Sequence, residues 1–178
     1  MKKKLILSKL DVARRQLETL IRLYFSYGDP VSTHTLASAS YNIIRDCNKH
    51  AGGKTMLAKD GFIEMVRPGS EKLVRAKINE AENFFKHADR DHDQSLEFNP
   101  DQTEFLVLEA CAVYAQLTGE FPPLFQVYQG WFIANHNDLF SFPEHQRQAI
   151  QLGAPEIVTM GRSEYFKMSL PNASAIST

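Results

Sequence analysis

The charged and polar side chains of residues 45–50, Arg-Asp-Cys-Asn-Lys-His, could carry out chemistry on a phosphate ester. Histidine titrates near neutral pH, so His50 is a candidate acid and base. The forked guanidinium of Arg45 suits phosphate oxygens, on which charge grows when a phosphodiester is cleaved. Asp46 lies four residues before His50 and can orient its ring from the same helical face. These residue types favour phosphodiester cleavage without a metal ion.

The spacing of Arg45 and His50, with an acidic residue directly after the arginine, resembles the R-x4-6-H motif of HEPN domains. The resemblance covers these six residues and an all-helical context. It implies a small helical bundle. Many HEPN domains are metal-independent ribonucleases, often toxins or defence proteins, which act as homodimers with two copies of the motif facing one cleft. The resemblance thus implies that His50 transfers protons and Arg45 holds the phosphate, with Asp46, Asn48 and Lys49 assisting.

The helical spacing of the two key side chains leaves alternatives open. A regular helix turns about 100° per residue, so Arg45 and His50 point about 140° apart. They converge only if the last turn loosens before Gly52, or if two subunits supply complementary residues. In the structural alternative, Arg45, Lys49 and His50 are cations in a last helical turn, where they interact favourably with the negative end of the helix dipole.

A second polar stretch occupies residues 83–93. Asn83, His87 and Arg90 are spaced by four and then three residues, which places them on one helical face, with Lys86 beside them. We expect this group to bind an anion or to complete a cleft with the first site. The alternative is an exposed, solvated helix end.

The same stretch has the spacing of a calcium loop at Asp89, Asp91 and Asp93. The position that needs glycine holds Gln94, and the position of the bidentate glutamate holds Pro100. Neighbouring serine, glutamate and histidine side chains leave weak divalent or transition-metal binding open. Since the sequence also lacks HExxH and CxxC, we expect no dedicated metal site and no cofactor.

Seven aromatic residues fall between positions 121 and 142. Aromatic side chains concentrate in cores and at protein interfaces. One interpretation packs them against the apolar helix predicted at 105–117. The other makes them a surface for self-association or for a protein partner, and the protein is then a non-catalytic adaptor or regulator. The candidate interface residues are Phe125, Tyr128, Trp131 and Phe132.

The hydrophobic period is helical along most of the chain. From Leu10 onward apolar residues recur at spacings of three and four, whereas no alternating strand pattern is present. The sequence predicts an all-α fold, a bundle of four to five main helices with short C-terminal helices. We expect a single helical domain over residues 1–170 and a disordered tail over residues 171–178.

Local capping and proline signals predict where individual helices begin. We expect a cap on the second helix at Ser32, a helix over about 71–88, a capping box at Asp101 and Glu104, and first-turn prolines at Pro143 and Pro155.

Composition limits the class of protein. Twenty basic residues face 21 acidic ones, which argues against a broad phosphate-binding surface and leaves room for a local basic patch. Cys47 and Cys111 lie apart, as is typical of reduced thiols. The apolar run at 5–7 is too short for a signal peptide, and no stretch approaches the roughly 20 apolar residues of a membrane span. We expect a cytoplasmic protein that binds RNA or a protein partner and no membrane.

Overall fold

The structure, a computed structural model, describes residues 4–89 and 91–176. Within these residues every regular element is helical, which confirms the predicted all-α class. None of the described helices is long and apolar enough to cross a bilayer. The α-helices are α1 (Lys9–Phe25), α2 (Pro30–His50), α3 (Phe62–Glu64), α4 (Glu71–Ile78), α5 (Glu80–Lys86), α6 (Gln102–Thr118), α7 (Pro123–Asn135), α8 (Glu144–Thr159) and α9 (Arg162–Ile176), with a π-helical turn at Leu57–Gly61.

The core forms where α1 packs on α2, α2 packs on α6, and α7 contacts both α1 and α6. Each helix contributes the apolar face that its sequence period predicts, and α6 is covered on most sides. Burying a large apolar side chain contributes about 1.5–3 kcal/mol, so these faces hold the helices together. Fully buried members include Leu17, Leu20, Ile21, Tyr41, Ile44, Val107, Cys111 and Phe125.

Helix α2, which carries the candidate site, begins earlier than its predicted cap. The Oδ2 atom of Asp29 accepts a hydrogen bond of 2.7 Å from the backbone N–H of Ser32, and Pro30 is the first helical residue. Proline suits this position because the first N–H of a helix has no intrahelical partner. The predicted cap at Ser32 is therefore wrong, and Asp29 caps the helix.

The helix predicted over 71–88 is two helices, separated at Asn79. The side chain of Asn79 donates a 2.9 Å hydrogen bond to the backbone carbonyl of Arg75, a local bond that competes with the helical ladder. Helix α5 ends at Lys86, and His87 is extended, with φ −131° and ψ 147°. The predicted shared face of Asn83, His87 and Arg90 thus stops at the helix end, and Arg90 lies outside the described residues.

The C-terminal helices run through their prolines. Pro155 lies inside α8 and does not start a new helix, while α9 continues across Pro171 to Ile176. Ala154 and Ala173 are buried beside these prolines, so packing maintains the helical course. Residues 171–176 are therefore helical, contrary to the predicted tail, and residues 177–178 lie outside the described residues.

The predicted capping box at the start of α6 is also wrong. Asp101 makes no side-chain cap hydrogen bond. The carboxylate of Glu104 instead accepts hydrogen bonds from the Tyr24 hydroxyl at 2.6 Å and pairs with Nε2 of His136 at 3.0 Å. Glu104 therefore connects α6 to α1 and to the end of α7, an arrangement that no local spacing reveals.

Candidate functional site

A cavity of about 480 Å³ lies at the C-terminal end of α2. Its wall combines the last turns of α2, the turn that follows, α3 and one residue of α4. Four of the predicted site residues line it, namely Arg45, Asp46, Asn48 and Lys49. The wall also includes Gly53, Lys54, Asp60, Ile63, Glu64 and Arg75.

The turn after α2 folds back because Asn48 is buried and bonded across it. The side-chain amide of Asn48 donates a hydrogen bond of 2.8 Å to the backbone carbonyl of Lys54. The backbone N–H of Gly53 donates a hydrogen bond of 2.9 Å to the backbone carbonyl of Asn48. A Cβ atom on Gly53 would lie only 1.8 Å from the Asn48 side-chain oxygen, so only glycine fits there. This fold brings Lys54 into the cavity wall.

Arg45 is held by carboxylates on two sides. Its guanidinium donates to Asp46 at 3.1 and 3.3 Å, and its Nε atom lies 3.7 Å from Asp60. Asp60 also accepts a 3.0 Å hydrogen bond from Arg75. Partly exposed pairs of this kind contribute about 1 kcal/mol or less. A phosphate group can therefore replace the Asp46 carboxylate as the partner of Arg45 at small cost.

Lys49 and Lys54 are exposed at the cavity, and neither makes an ion pair in the part of the chain that the structure describes. Together with Arg45 and Arg75 they give the wall four basic side chains, against the three acidic side chains of Asp46, Asp60 and Glu64. The cavity is thus locally basic in a chain whose formal net charge is −1. Such a wall attracts an anion.

His50 is the last residue of α2, is exposed, and is not part of the cavity wall. The helix keeps its α-helical hydrogen bonding to this end, with the N–H of Ala51 donating 3.0 Å to the carbonyl of Cys47. The loosened last turn that would join Arg45 to His50 within one chain is therefore not observed. Their directions stay about 140° apart.

The second predicted group does not join this cavity. Asn83 lines a separate cavity, described below, and His87 is exposed beyond the end of α5. Lys86 donates 2.7 Å to the carboxylate of Glu82. Among residues 4–89 and 91–176, no three histidine, cysteine, aspartate or glutamate side chains come together as a set of metal ligands.

A buried ionic cluster behind the cavity was not predicted. Lys59 forms an ion pair with Glu82 and donates a hydrogen bond of 3.1 Å to the side-chain oxygen of Asn42. The amide of Asn42 in turn donates a hydrogen bond of 2.6 Å to Glu82. Burial lowers the pKa of Lys59. Burial raises the pKa of Glu82, but hydrogen bonds from Lys59 and Lys86 outweigh it and lower that pKa to about 2. Of the contacts in this cluster, only the one between Glu82 and Lys86, four residues apart on one helical face, could be predicted from local spacing.

The aromatic segment packs inside the chain. Phe125, Tyr128 and Phe132 are at most 1% exposed. Trp131 is half-buried, and its Nε1 atom donates 3.1 Å to the hydroxyl of Tyr24. The core interpretation therefore applies, because the three buried side chains have no surface to offer a partner.

Comparison with known proteins adds no assignment. No family model matches the chain, and neither the curated proteins nor the solved structures give a match. The function has to be inferred from the chain's own residues.

Proposed function

We propose that the cavity at the end of α2 binds the phosphodiester backbone of RNA and that the protein cleaves RNA without a metal ion, as a HEPN-like ribonuclease of the toxin or defence type. The observation that carries this proposal is the grouping of Arg45, Lys49, Lys54 and Arg75 around one cavity. Charge-assisted hydrogen bonds from arginine and lysine are the strongest contacts that proteins make to phosphate oxygens.

In the proposed reaction His50 takes the proton of a ribose 2′-hydroxyl, and the 2′-oxygen attacks the adjacent phosphorus. The bond from phosphorus to the 5′-oxygen breaks, and that oxygen receives the proton from the protonated imidazole of His50. The products are a 2′,3′-cyclic phosphate and a free 5′-hydroxyl. Arg45 stabilises the negative charge that grows on the phosphate oxygens.

The His50 that acts on this phosphate comes from a second copy of the chain. Within one chain the two side chains leave α2 in different directions, so a homodimer is needed to place His50 of one subunit at the cavity of the other. The predicted bundle of four to five main helices supplies the framework. A cytoplasmic location agrees with the free thiols of Cys47 and Cys111.

The experiment that tests binding is a fluorescence-anisotropy titration of a labelled single-stranded RNA with the full chain and with Arg45→Ala. We expect the substitution to weaken binding at least about tenfold, since a hydrogen bond to a charged group contributes about 1.5–3 kcal/mol. Arg22→Ala is the matched control, because Arg22 is exposed on α1 and does not line the cavity. Equal affinities for the two variants would contradict the proposal.

Cleavage is tested with the same RNA in the presence of a chelator. The proposal predicts products that end in a cyclic phosphate, at an unchanged rate when divalent ions are removed. If the wild-type chain binds the RNA but leaves it intact, the cleavage activity is contradicted, and the protein only binds RNA.

A further inference from the structure

A second cavity, of about 430 Å³, lies between α4, α5 and the segment 91–96. It is separate from the cavity that holds Arg45. Arg75 lines the first cavity and Leu73 lines the second. Residues two positions apart in a regular helix point about 160° away from each other. Helix α4 therefore stands between the two cavities.

The wall of the second cavity is apolar on one part and polar on the other. Leu73, Phe84 and Leu96 supply apolar surface, Phe84 with an aromatic ring. A volume of this size lies in the range of small-molecule sites, which combine apolar surface with a few polar groups that fix orientation. Flat aromatic ligands stack on such rings.

Besides Ser95, the polar part of the wall has three larger side chains that have no hydrogen-bond partner among the described residues. Asn83, Gln94 and Asp91 line the cavity and make no side-chain hydrogen bond or ion pair in the part of the chain that the structure describes. The one basic side chain of the wall, Lys77, pairs with Glu80 at 2.5 Å, and Glu80 and Asp91 give the same wall two carboxylates. The cavity thus offers two amides and a carboxylate, and its two acidic side chains against one basic one disfavour a phosphate group.

We propose that this second cavity binds a nucleoside whose base is adenine or cytosine, in which an exocyclic amine lies next to a ring-nitrogen acceptor on the Watson–Crick edge. The amides of Asn83 and Gln94 each present a donor and an acceptor in one plane, which matches adenine, and the Asp91 carboxylate accepts from an exocyclic amine such as that of cytosine. Phe84 supplies the stacking face. The site does not depend on RNA cleavage, since it uses none of the residues around Arg45.

Isothermal titration calorimetry of the full chain with adenosine, cytidine, uridine and adenosine 5′-monophosphate tests the proposal. We expect adenosine or cytidine to bind at least about tenfold more tightly than uridine, which has no exocyclic amine and leaves Asp91 unpaired. We expect the 5′-monophosphate to bind no more tightly than adenosine, because the wall has two acidic side chains, Glu80 and Asp91, against the one basic side chain of Lys77.

The variants Asn83→Leu and Gln94→Leu should each weaken nucleoside binding at least about tenfold. Gln116→Leu is the matched control, because Gln116 is exposed on α6 and lines neither cavity. Arg45→Ala should leave nucleoside binding unchanged while it weakens RNA binding, which separates this proposal from the proposed function. Failure of every nucleoside to bind at about 1 mM, equal binding of uridine, or unchanged binding by both leucine variants would overturn it.

Discussion

The ammonium group of Lys59 and the carboxylate of Glu82 form an ion pair that is almost fully removed from water, with side-chain exposures of 3% and 10%. Lys59 belongs to the π-helical turn and Glu82 to α5, and both bond to Asn42 of α2. The next residue after Lys59 is Asp60, which lies between the guanidinium groups of Arg45 and Arg75. The buried pair therefore fixes the wall of the proposed RNA site.

Removing one member of this pair should strongly destabilise the protein. Lys59→Met leaves the Glu82 carboxylate buried without its main partner, and such a change costs about 3–5 kcal/mol. Lys86→Met is the matched control, because Lys86 binds the same carboxylate from a position that is 30% exposed, so its loss should cost about 1 kcal/mol. Urea unfolding followed by circular dichroism measures both. Equal losses of unfolding free energy in the two variants would contradict a larger contribution from Lys59 than from Lys86.

The stability of the protein should fall as the pH drops below neutrality. His34 is buried, with Nδ1 at 2.9 Å from the Thr103 hydroxyl, and burial together with the nearby charge of Lys59 lowers its pKa to about 4. In the unfolded chain its pKa is about 6.5, so the unfolded state binds the proton first. Stability on the order of 3 kcal/mol is then present above pH 6.5 and is lost as the pH falls towards 4.

Urea unfolding at intervals from pH 7.5 to pH 4.5 checks this dependence. Glu82, whose pKa is lowered to about 2 in the folded state and is about 4.3 in the unfolded chain, adds its own loss of stability only as the pH falls below about 5, so the slope between pH 7 and pH 5 reports on His34. His34→Gln should flatten the slope, whereas His87→Gln, at an exposed position, should preserve it. A wild-type free energy of unfolding that stays constant between pH 7 and pH 5 would count against a buried, neutral His34.

Adding a methyl group at Gly53 should disturb the turn that completes the proposed RNA site. Gly53→Ala forces a contact with the buried Asn48 side chain, and overpacking of this kind costs about 1–3 kcal/mol. Displacement of Lys54 should also weaken RNA binding. The control is Gly153→Ala in α8, where nothing lies within 4 Å of the added methyl group and the helix should gain about 0.5–1 kcal/mol. A Gly53→Ala protein as stable as the wild type would show that the turn has room.

The all-helical fold could be predicted because the residues that determine a helix lie close together in the sequence. Apolar residues at spacings of three and four identified α1, and a run that is apolar on almost every side identified α6. Local signals gave wrong predictions where the side chain of another residue made the decisive hydrogen bond. Asp29 displaced Ser32 as the cap of α2, and the Asn79 side chain broke the helix predicted over 71–88.

The site could be predicted only in part, for a related reason. The grouping of Arg45, Asp46, Asn48 and Lys49 is local and appears in one cavity. Lys59 and Glu82 are 23 residues apart, and no spacing rule connects them. The contribution of Lys54 and Arg75 to the same cavity likewise depends on tertiary packing. A sequence pattern cannot report contacts between segments that meet only in the folded chain.

In the proposed shared site, Arg45 of one subunit and His50 of another act on the same phosphate. The direct measurement mixes Arg45→Ala with His50→Ala, allows subunits to exchange, and follows cleavage of a labelled RNA in chelator. Each variant alone should be inactive. Random exchange makes half of the dimers mixed, each with one intact site, so the mixture should recover about a quarter of wild-type activity. A mixture as inactive as its two components, beside an active wild type, would contradict the shared site.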